Sequence, residues 1–443
     1  MSYKIGMVSL GCPKNQVDAE VMLAALTAAG FELTQAESEA DAIIINTCGF
    51  IEDAKTEAIE NIIEVAKFKT DGTLKALIVT GCLAERYRDE ITREIPEVDV
   101  VVGIGKNKDI VNIVKEAIKG KPQNHFGEKC ELELSGERIL TTPPYSAYLK
   151  IAEGCDNCCT YCAIPLIRGS FRSRGIESCV NEAKTLAKKG VTELILVAQD
   201  TTRYGEDLNG GKSLLPQLLK ELCKVDGIHW IRTLYTYPER ITDELLEVIA
   251  AESKVVPYLD IPLQHCNGEI LSRMNRSGDY KSLKELIAKI RNAVPDITLR
   301  TTFLVGFPGE TEEQFCELCE FVKEIEFDRL GCFAYSEEEG TPAAEFEGQV
   351  DKQLRQDRSE NIMEEQLLIA AKKNEQKIGT TQEVLIEGYD NYIRCYFGRS
   401  AADAPEIDGK VFFISPTSLK IGDYVKVHIN DTLDYDLLGE LEE

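Results

Sequence analysis

The sequence predicts an α/β protein of three units: a small parallel-sheet domain, a partial (β/α)6 barrel and a small antiparallel, OB-like β-barrel at the carboxyl end. Three observations carry that prediction. Residues 3 to about 120 alternate short apolar runs with helix-like stretches, and the alternation resumes near Tyr145 with six further units at a different spacing. From about Gln382 the period shortens to alternating strands. The length also fits: 443 residues, 43% of them hydrophobic, can fill the cores of about three domains.

In the first unit, placed at residues 1–125, strands are expected at Ile5–Ser9, Ala42–Asn46, Leu77–Thr80 and Val98–Val102. Helices such as Asp18–Ala29 and Asp53–Lys67 lie between them, and Gly30 sits where a helix stop belongs. Residues 121–142 read as a linker, with Lys-Pro at 121–122, a charged stretch and Thr-Thr-Pro-Pro at 141–144. The barrel, placed at 141–372 with its connector helix, should take its six strands from 148–152, 193–198, 231–235, 256–261, 298–306 and 329–335. Helices Cys179–Lys189, Leu214–Lys224, Asp243–Ala251, Ser282–Ala293 and Glu312–Glu324 separate them. The working end of such a barrel lies at the carboxyl ends of its strands. Residues 350–378 form a charged connector helix, and 375–443 hold the short strands EVLIEGY, YIRCYFGRS, GKVFFIS and DYVKVHIND.

No apolar run reaches the ~18 residues of a membrane span, and MSYKIGMVSLG lacks the pattern of a signal peptide. A cytoplasmic location is therefore expected. In that compartment fifteen cysteines point to metal or redox use before disulfides. The net charge of −26, from 76 acids and 50 bases, disfavours bare nucleic acid and would attract a basic protein, although solubility alone also explains it.

Six cysteines form two sets of three. Cys12, Cys48 and Cys82 end the apolar runs MVSLGC, IIINTC and LIVTGC. Three cysteines at the same end of three parallel strands can converge, and the adjoining Gly11, Gly49 and Gly81 allow backbone to approach a bulky inorganic core. Taken singly, each would be a small buried hydrophobe. Cys155, Cys159 and Cys162 form CxxxCxxC just after the first barrel strand. Three thiolates on a 4Fe–4S cube leave one iron open for an amino and carboxylate pair. Cys155 with Cys158 and Cys159 with Cys162 also read as two CxxC pairs, so a zinc site shares the spacing, and Cys158 is the spare thiol of the iron–sulfur frame.

The CxxxCxxC loop on the first strand of a β/α barrel, with Tyr161 before the last cysteine, resembles the radical S-adenosylmethionine (SAM) superfamily. The segments SLGCPKNQVDAE, INTCGFIEDA, TGCLAERY, EGCDNCCTYCAIPLIRGSFRSR, PLQHCNGEIL with SRMNR, FLVGFPGETEEQF and EEGTPAA together look like the methylthiotransferases. The terminal barrel resembles a TRAM domain, and the likeness covers nearly the whole chain. SLGCPKN with Val17 and Asp18 looks like the branch that acts on a ribosomal protein. That resemblance implies two 4Fe–4S clusters: a radical-generating one on Cys155, Cys159 and Cys162, and an auxiliary one on Cys12, Cys48 and Cys82 that carries the sulfur to be transferred. It implies one SAM as methyl donor and a second as the source of a 5′-deoxyadenosyl radical, with an electron donor such as flavodoxin or ferredoxin. The implied product is a β-methylthio-aspartate in a basic small-subunit ribosomal protein. A methylthiotransferase acting on tRNA adenosine and a non-catalytic iron–sulfur protein that docks on ribosomes are the alternatives.

Further candidates line the predicted mouth. Gln199 and Asp200 end the second barrel strand, where they can meet the amino-acid moiety of SAM. Gly306 to Gly309 follow the fifth strand, as an adenine-binding turn or a plain βα turn. Arg168, Arg172 and Arg174 follow the cluster loop and by default are solvated. His265 and Cys266 end the fourth strand as supporting residues. Cys316 and Cys319, one helical turn apart, are expected in the core. From Glu375 to Glu443 there are fourteen acids and six bases, an acidic TRAM-like domain better suited to a basic protein than to RNA.

Overall fold

The structure, a computed structural model, describes residues 3–72 and 74–442. Residues 1, 2 and 443, the outer ends of the first and third predicted units, lie outside them. In the first unit five parallel strands stand in the order Glu32–Leu33, Lys4–Ser9, Ala42–Thr47, Ala76–Gly81, Val100–Val101. Every residue of Ala42–Thr47 and Ala76–Gly81 is buried. These central strands are covered by helices on both faces, which is why they read as unbroken apolar runs. The edge strand Val100–Val101 lies within the expected Val98–Val102, whereas the two-residue Glu32–Leu33 carries too little pattern to be legible and was not expected.

The second unit is a six-stranded parallel sheet: Ser146–Lys150, Glu193–Val197, Trp230–Thr233, Val255–Asp260, Thr298–Val305 and Arg329–Ala334, each beside the next. It curves without closing, as a partial barrel. Its helix-facing side is the main core, built on residues such as Leu149, Leu196, Leu259 and Phe303. The opposite face, with Tyr148, Val197, Leu234 and Tyr258, buries Val17 of the first unit and Leu385 and Ala404 of the third. The incomplete barrel is thus plugged by its neighbours. Thr311 and Asp279 cap the two helices that follow them with reciprocal side-chain bonds.

The connector Lys352–Glu375 leads to a closed five-stranded barrel, Thr381–Asp390, Cys395–Ser400, Val411–Ile414, Tyr424–Leu433 and Asp436–Leu441. Four seams are antiparallel. The fifth, Val411–Ile414 with Asp436–Leu441, is parallel, a departure from the all-antiparallel expectation. This barrel is held on the sheet by buried charge. Arg399 and Arg232 bind Glu193 at 2.7 and 3.2 Å, and Arg329 binds Asp403 at 2.5 Å. Tyr258 donates to Asp408 at 2.6 Å. Two of the fourteen acids counted in the terminal domain, Asp403 and Asp408, therefore have internal side chains.

Candidate functional site

The first cysteine set lies on three adjacent strand ends. Cys12 is the N-cap of helix Pro13–Ala28, Cys48 follows Ala42–Thr47, and Cys82 opens helix Cys82–Tyr87. A Cβ on Gly11, whose φ is +88°, would stand 2.7 Å from Cys48 Cβ. One on Gly81, at φ +94°, would stand 2.4 Å from the Thr47 carbonyl oxygen. Only glycine lets these turns pack so closely. Asn15 ties them together by donating Nδ2 to the carbonyls of Leu10 at 2.8 Å, Thr47 at 3.2 Å and Asn46 at 3.3 Å. The three thiols interact electrostatically. Burial pushes the Cys48 thiol up and that of Cys82 to about 12, against the pull of Arg168. Ligation of a metal would therefore release protons.

The second set occupies a loop bracketed by the strand pair Ala152–Glu153 and Arg172–Ser173. A Cβ on Gly154, at φ +78°, would stand 2.1 Å from the Ser170 carbonyl oxygen. Cys155, Cys159 and Cys162 lie within electrostatic reach of one another, and burial raises Cys155 to about 11 and Cys162 further. Cys158 is exposed, at φ +51°. Asn275 donates to its carbonyl at 3.0 Å and to that of Asn157 at 3.1 Å, which fixes the turn that leaves the Cys158 thiol in solvent. Among the described residues no three Cys, His, Asp or Glu side chains close on one point as ligands of a single ion would. Each set offers three thiols, the soft donors that an Fe–S cluster takes.

The two sets share a buried wall. Cys82 packs on Ala163 and Ile167, directly after Cys162. Arg168, 2% exposed, donates to Cys82 Sγ at 3.3 Å, Asn15 Oδ1 at 3.0 Å, Asp18 at 2.6 Å and Glu153 at 3.2 Å. Lys150 Nζ binds the same carboxylates, Glu153 at 3.0 Å and Asp18 more tightly. Burial alone would raise the Glu153 pKa, but Arg168 and Lys150 hold it at about 2. Across the mouth, Arg86 and Lys55 of the first unit grip Glu338, after the sixth strand, at 2.6 and 3.2 Å. The first unit is thereby tied to both ends of the barrel rim.

Of the other expected residues, Gln199 donates to Glu153 at 2.7 Å, and its Oε1 is buried without a donor among the described residues. Tyr161 stands beside Cys159 and Arg276. An added Cβ on Gly306, at φ +69°, would meet Arg355 Cγ at 2.3 Å, so packing alone requires glycine there. Asp200 does not face outward. It accepts from Asn157 at 2.9 Å and Arg240 at 3.1 Å and so holds the cluster loop. The solvated default for the arginines fails: Arg168 and Arg174 are buried, and Arg172 donates to the carbonyls of Lys129, Cys130 and Leu132. His265 is wholly buried, with Glu310 at 3.7 Å. Cys316 is exposed and only Cys319 touches the core. Sequence reasoning missed Tyr237, whose hydroxyl lies 3.8 Å from Cys159 Sγ, and Arg276, stacked 4.0 Å from the Tyr237 ring. It also missed Lys14, Lys150 and Glu153. Apart from the Lys150–Glu153 pair, each acts through partners distant in sequence, which spacing does not reveal.

A parallel-sheet domain with one cysteine set, seated on the mouth of a partial barrel with another and followed by a small closed barrel, is the architecture of an α/β radical SAM enzyme with a second cluster of cysteines. Comparison with known proteins agrees. Residues 4–103 match the uncharacterized protein family UPF0004, 149–322 the radical SAM superfamily and 378–441 the TRAM domain. The radical SAM methyltransferase TsrM from Kitasatospora setae shares the fold, with a TM-score of 0.58 at 13% identity over 87% of this chain and 79% of that one. Much nearer in sequence are proteins called ribosomal protein uS12 methylthiotransferase RimO. That of Desulforamulus reducens is 51% identical over 99% of both chains, and that of Geobacter sulfurreducens 49% identical over 99% of this chain and 98% of its own. The chain belongs to this RimO family of radical SAM methylthiotransferases, whose cofactors are SAM and 4Fe–4S clusters. Among the described residues no helix is long and apolar enough to cross a membrane.

Proposed function

We propose that this chain methylthiolates the β-carbon of an aspartate in ribosomal protein uS12. Cys155, Cys159 and Cys162 would hold one 4Fe–4S cluster and Cys12, Cys48 and Cys82 the other. When bound, the clusters and two SAM molecules supply the 5′-deoxyadenosyl radical, the methyl group and the sulfur to be transferred. The observation that carries the reading is the shared wall: Arg168, from the segment after the cluster loop, reaches the Cys82 thiol at 3.3 Å. Two sites so joined can act on one carbon without a long transfer.

The chain's own groups supply position and dryness. Gln199, through its unmatched Oε1, and Tyr161, beside Cys159, would contact SAM, with Gly306 shaping the turn opposite. The first unit closes on the rim through Asp18 and Arg86 and keeps water from the reacting carbon. In division of labour, residues 1–125 would carry the sulfur, 141–372 generate the radical and 375–443 meet the basic protein. The setting is the cytoplasm, with flavodoxin or ferredoxin as electron donor and bare nucleic acid disfavoured as substrate. The test is a mass comparison of uS12 and of bulk tRNA nucleosides from cells with and without the gene. A methylthio group lost from the uS12 aspartate alone is the expected result. Loss from tRNA alone would move the activity to the tRNA branch.

A further inference from the structure

Lys14 is the second residue of helix Pro13–Ala28, two positions past Cys12. It is 7% exposed, and its Nζ lies 3.5 Å from the centroid of the Tyr235 ring. Tyr235 follows the third barrel strand and holds a φ of +60°, a conformation aromatic residues rarely adopt. Its backbone N–H donates to Asp260 at 2.9 Å, which fixes that turn. The Lys14 side chain therefore reaches from the cysteine end of the first unit into the mouth of the barrel.

The neighbouring buried cations are satisfied. Lys150 and Arg168 each bind both Asp18 and Glu153. Lys14 differs. Among the described residues no hydrogen-bond acceptor meets its Nζ; its direct contact is the Tyr235 ring face, and the charges of Cys12 and Glu153 act on it only from further away. A ring face offsets only about 0.5–2 kcal/mol of the cost of burying an ammonium, and the group's three donors stay unused. Buried charges in folded proteins are otherwise paired. What Lys14 lacks is an acceptor for those donors, which a carboxylate entering with a substrate would supply.

We infer that Lys14 receives the side-chain carboxylate of the target aspartate and selects aspartate over its amide. This rests on the reading above, in which an aspartate of uS12 is the substrate. Held at Nζ, the carboxylate would place the adjacent β-carbon between the Cys12 end of the first unit and the mouth of the barrel. A structural role confined to the Tyr235 stack would give no preference between acid and amide.

The test uses the anaerobically purified holoenzyme and two peptides from the uS12 target loop, one with the native aspartate and one with asparagine. Binding is read by fluorescence anisotropy, and methylthiolation of whole uS12 is scored by mass in the same preparations. Wild type should bind the aspartate peptide roughly 10- to 100-fold more tightly than the asparagine peptide, the range for a charge-assisted bond to a desolvated carboxylate. Lys14→Met should lose that preference by weakening only the aspartate peptide, and Lys14→Arg should keep it. Equal binding of both peptides by wild type would overturn the inference without needing any variant to fold. Equal weakening of both peptides in Lys14→Met would overturn it too. Modified uS12 with no acid–amide preference defeats the Lys14 assignment alone, whereas wild type that leaves uS12 unmodified defeats the underlying reading.

Discussion

Replacing Arg168 with Met keeps much of the side chain's length and removes its charge from the junction between the cysteine sets. Arg168 reaches Asp18 at 2.6 Å, Glu153 at 3.2 Å, Asn15 at 3.0 Å and Cys82 at 3.3 Å. Arg168, Asp18 and Glu153 are 2%, 5% and 0% exposed, so water cannot take over the lost contacts. The variant leaves Lys150 alone against two carboxylates. Breaking a buried pair in this way costs about 3–5 kcal/mol. Asp18, Asn15 and Cys82 belong to the first unit, so the cost should appear as weaker docking of helix Pro13–Ala28. The grip of Arg86 and Lys55 on Glu338 stays intact, which predicts local opening and not detachment. Hydrogen exchange read by mass spectrometry measures this directly. Amides of Pro13–Ala28 should exchange about two to four orders of magnitude faster, with those of the barrel helices little changed. Arg168→Lys keeps the charge but cannot span Asn15 and Cys82, and should cost about 2 kcal/mol. Adding Asp18→Asn to Arg168→Met should recover part of the loss. Unchanged exchange in Pro13–Ala28, or equal acceleration throughout the barrel, would refute the reasoning.

Alanine at Cys155, Cys159 or Cys162 should roughly halve bound iron and abolish SAM cleavage, whereas alanine at the exposed Cys158 should change neither. Alanine at Cys12, Cys48 or Cys82 should spare reductive SAM cleavage and lose sulfur transfer, and a variant of that set that still methylthiolated would disprove the assignment. Acid should release the terminal barrel from the sheet. Burial would raise the Glu193 pKa, but Arg399 and Arg232 hold it at about 2, below the roughly 4.3 of an unfolded glutamate. Its contribution is therefore intact above pH ~4.3 and lost as pH falls toward 2. Fluorescence of Trp230, which meets Tyr424 of the terminal barrel edge to face at 4.8 Å, should report the separation in the metal-free chain, and Glu193→Gln should remove the acid dependence. Charge reversal at the exposed Asp431 and Asp434 should weaken uS12 binding several-fold at low salt. Unchanged affinity there would mean the acidic face is not the docking surface. Asp436 is unsuitable for that test because it accepts from the Lys410 backbone at 2.7 Å.

The sheets were legible because burial on both faces writes a run such as Ala42–Thr47 directly into the sequence. The cysteines were legible because thiols ending three such runs must share one sheet edge. Strand Asp436–Leu441 was not, since DLLGEL has none of the β-branched or aromatic residues that mark a strand and depends on its partners for its conformation. Charge was the least legible property. Composition counts every acid alike, yet Asp403 and Asp408 lie buried against arginines of the sheet while Asp431 faces solvent. The arginines after the cluster loop looked solvated because their partners are far away in the chain: Asp18 is 150 residues from Arg168 and 132 from Lys150. Matching the buried groups at the site to their partners leaves the Lys14 ammonium without a hydrogen-bond acceptor. Those free donors point to a carboxylate-bearing substrate more sharply than the net charge of −26 does. An excess of surface acid attracts any basic partner, whereas one desolvated cation with free donors discriminates between an acid and its amide.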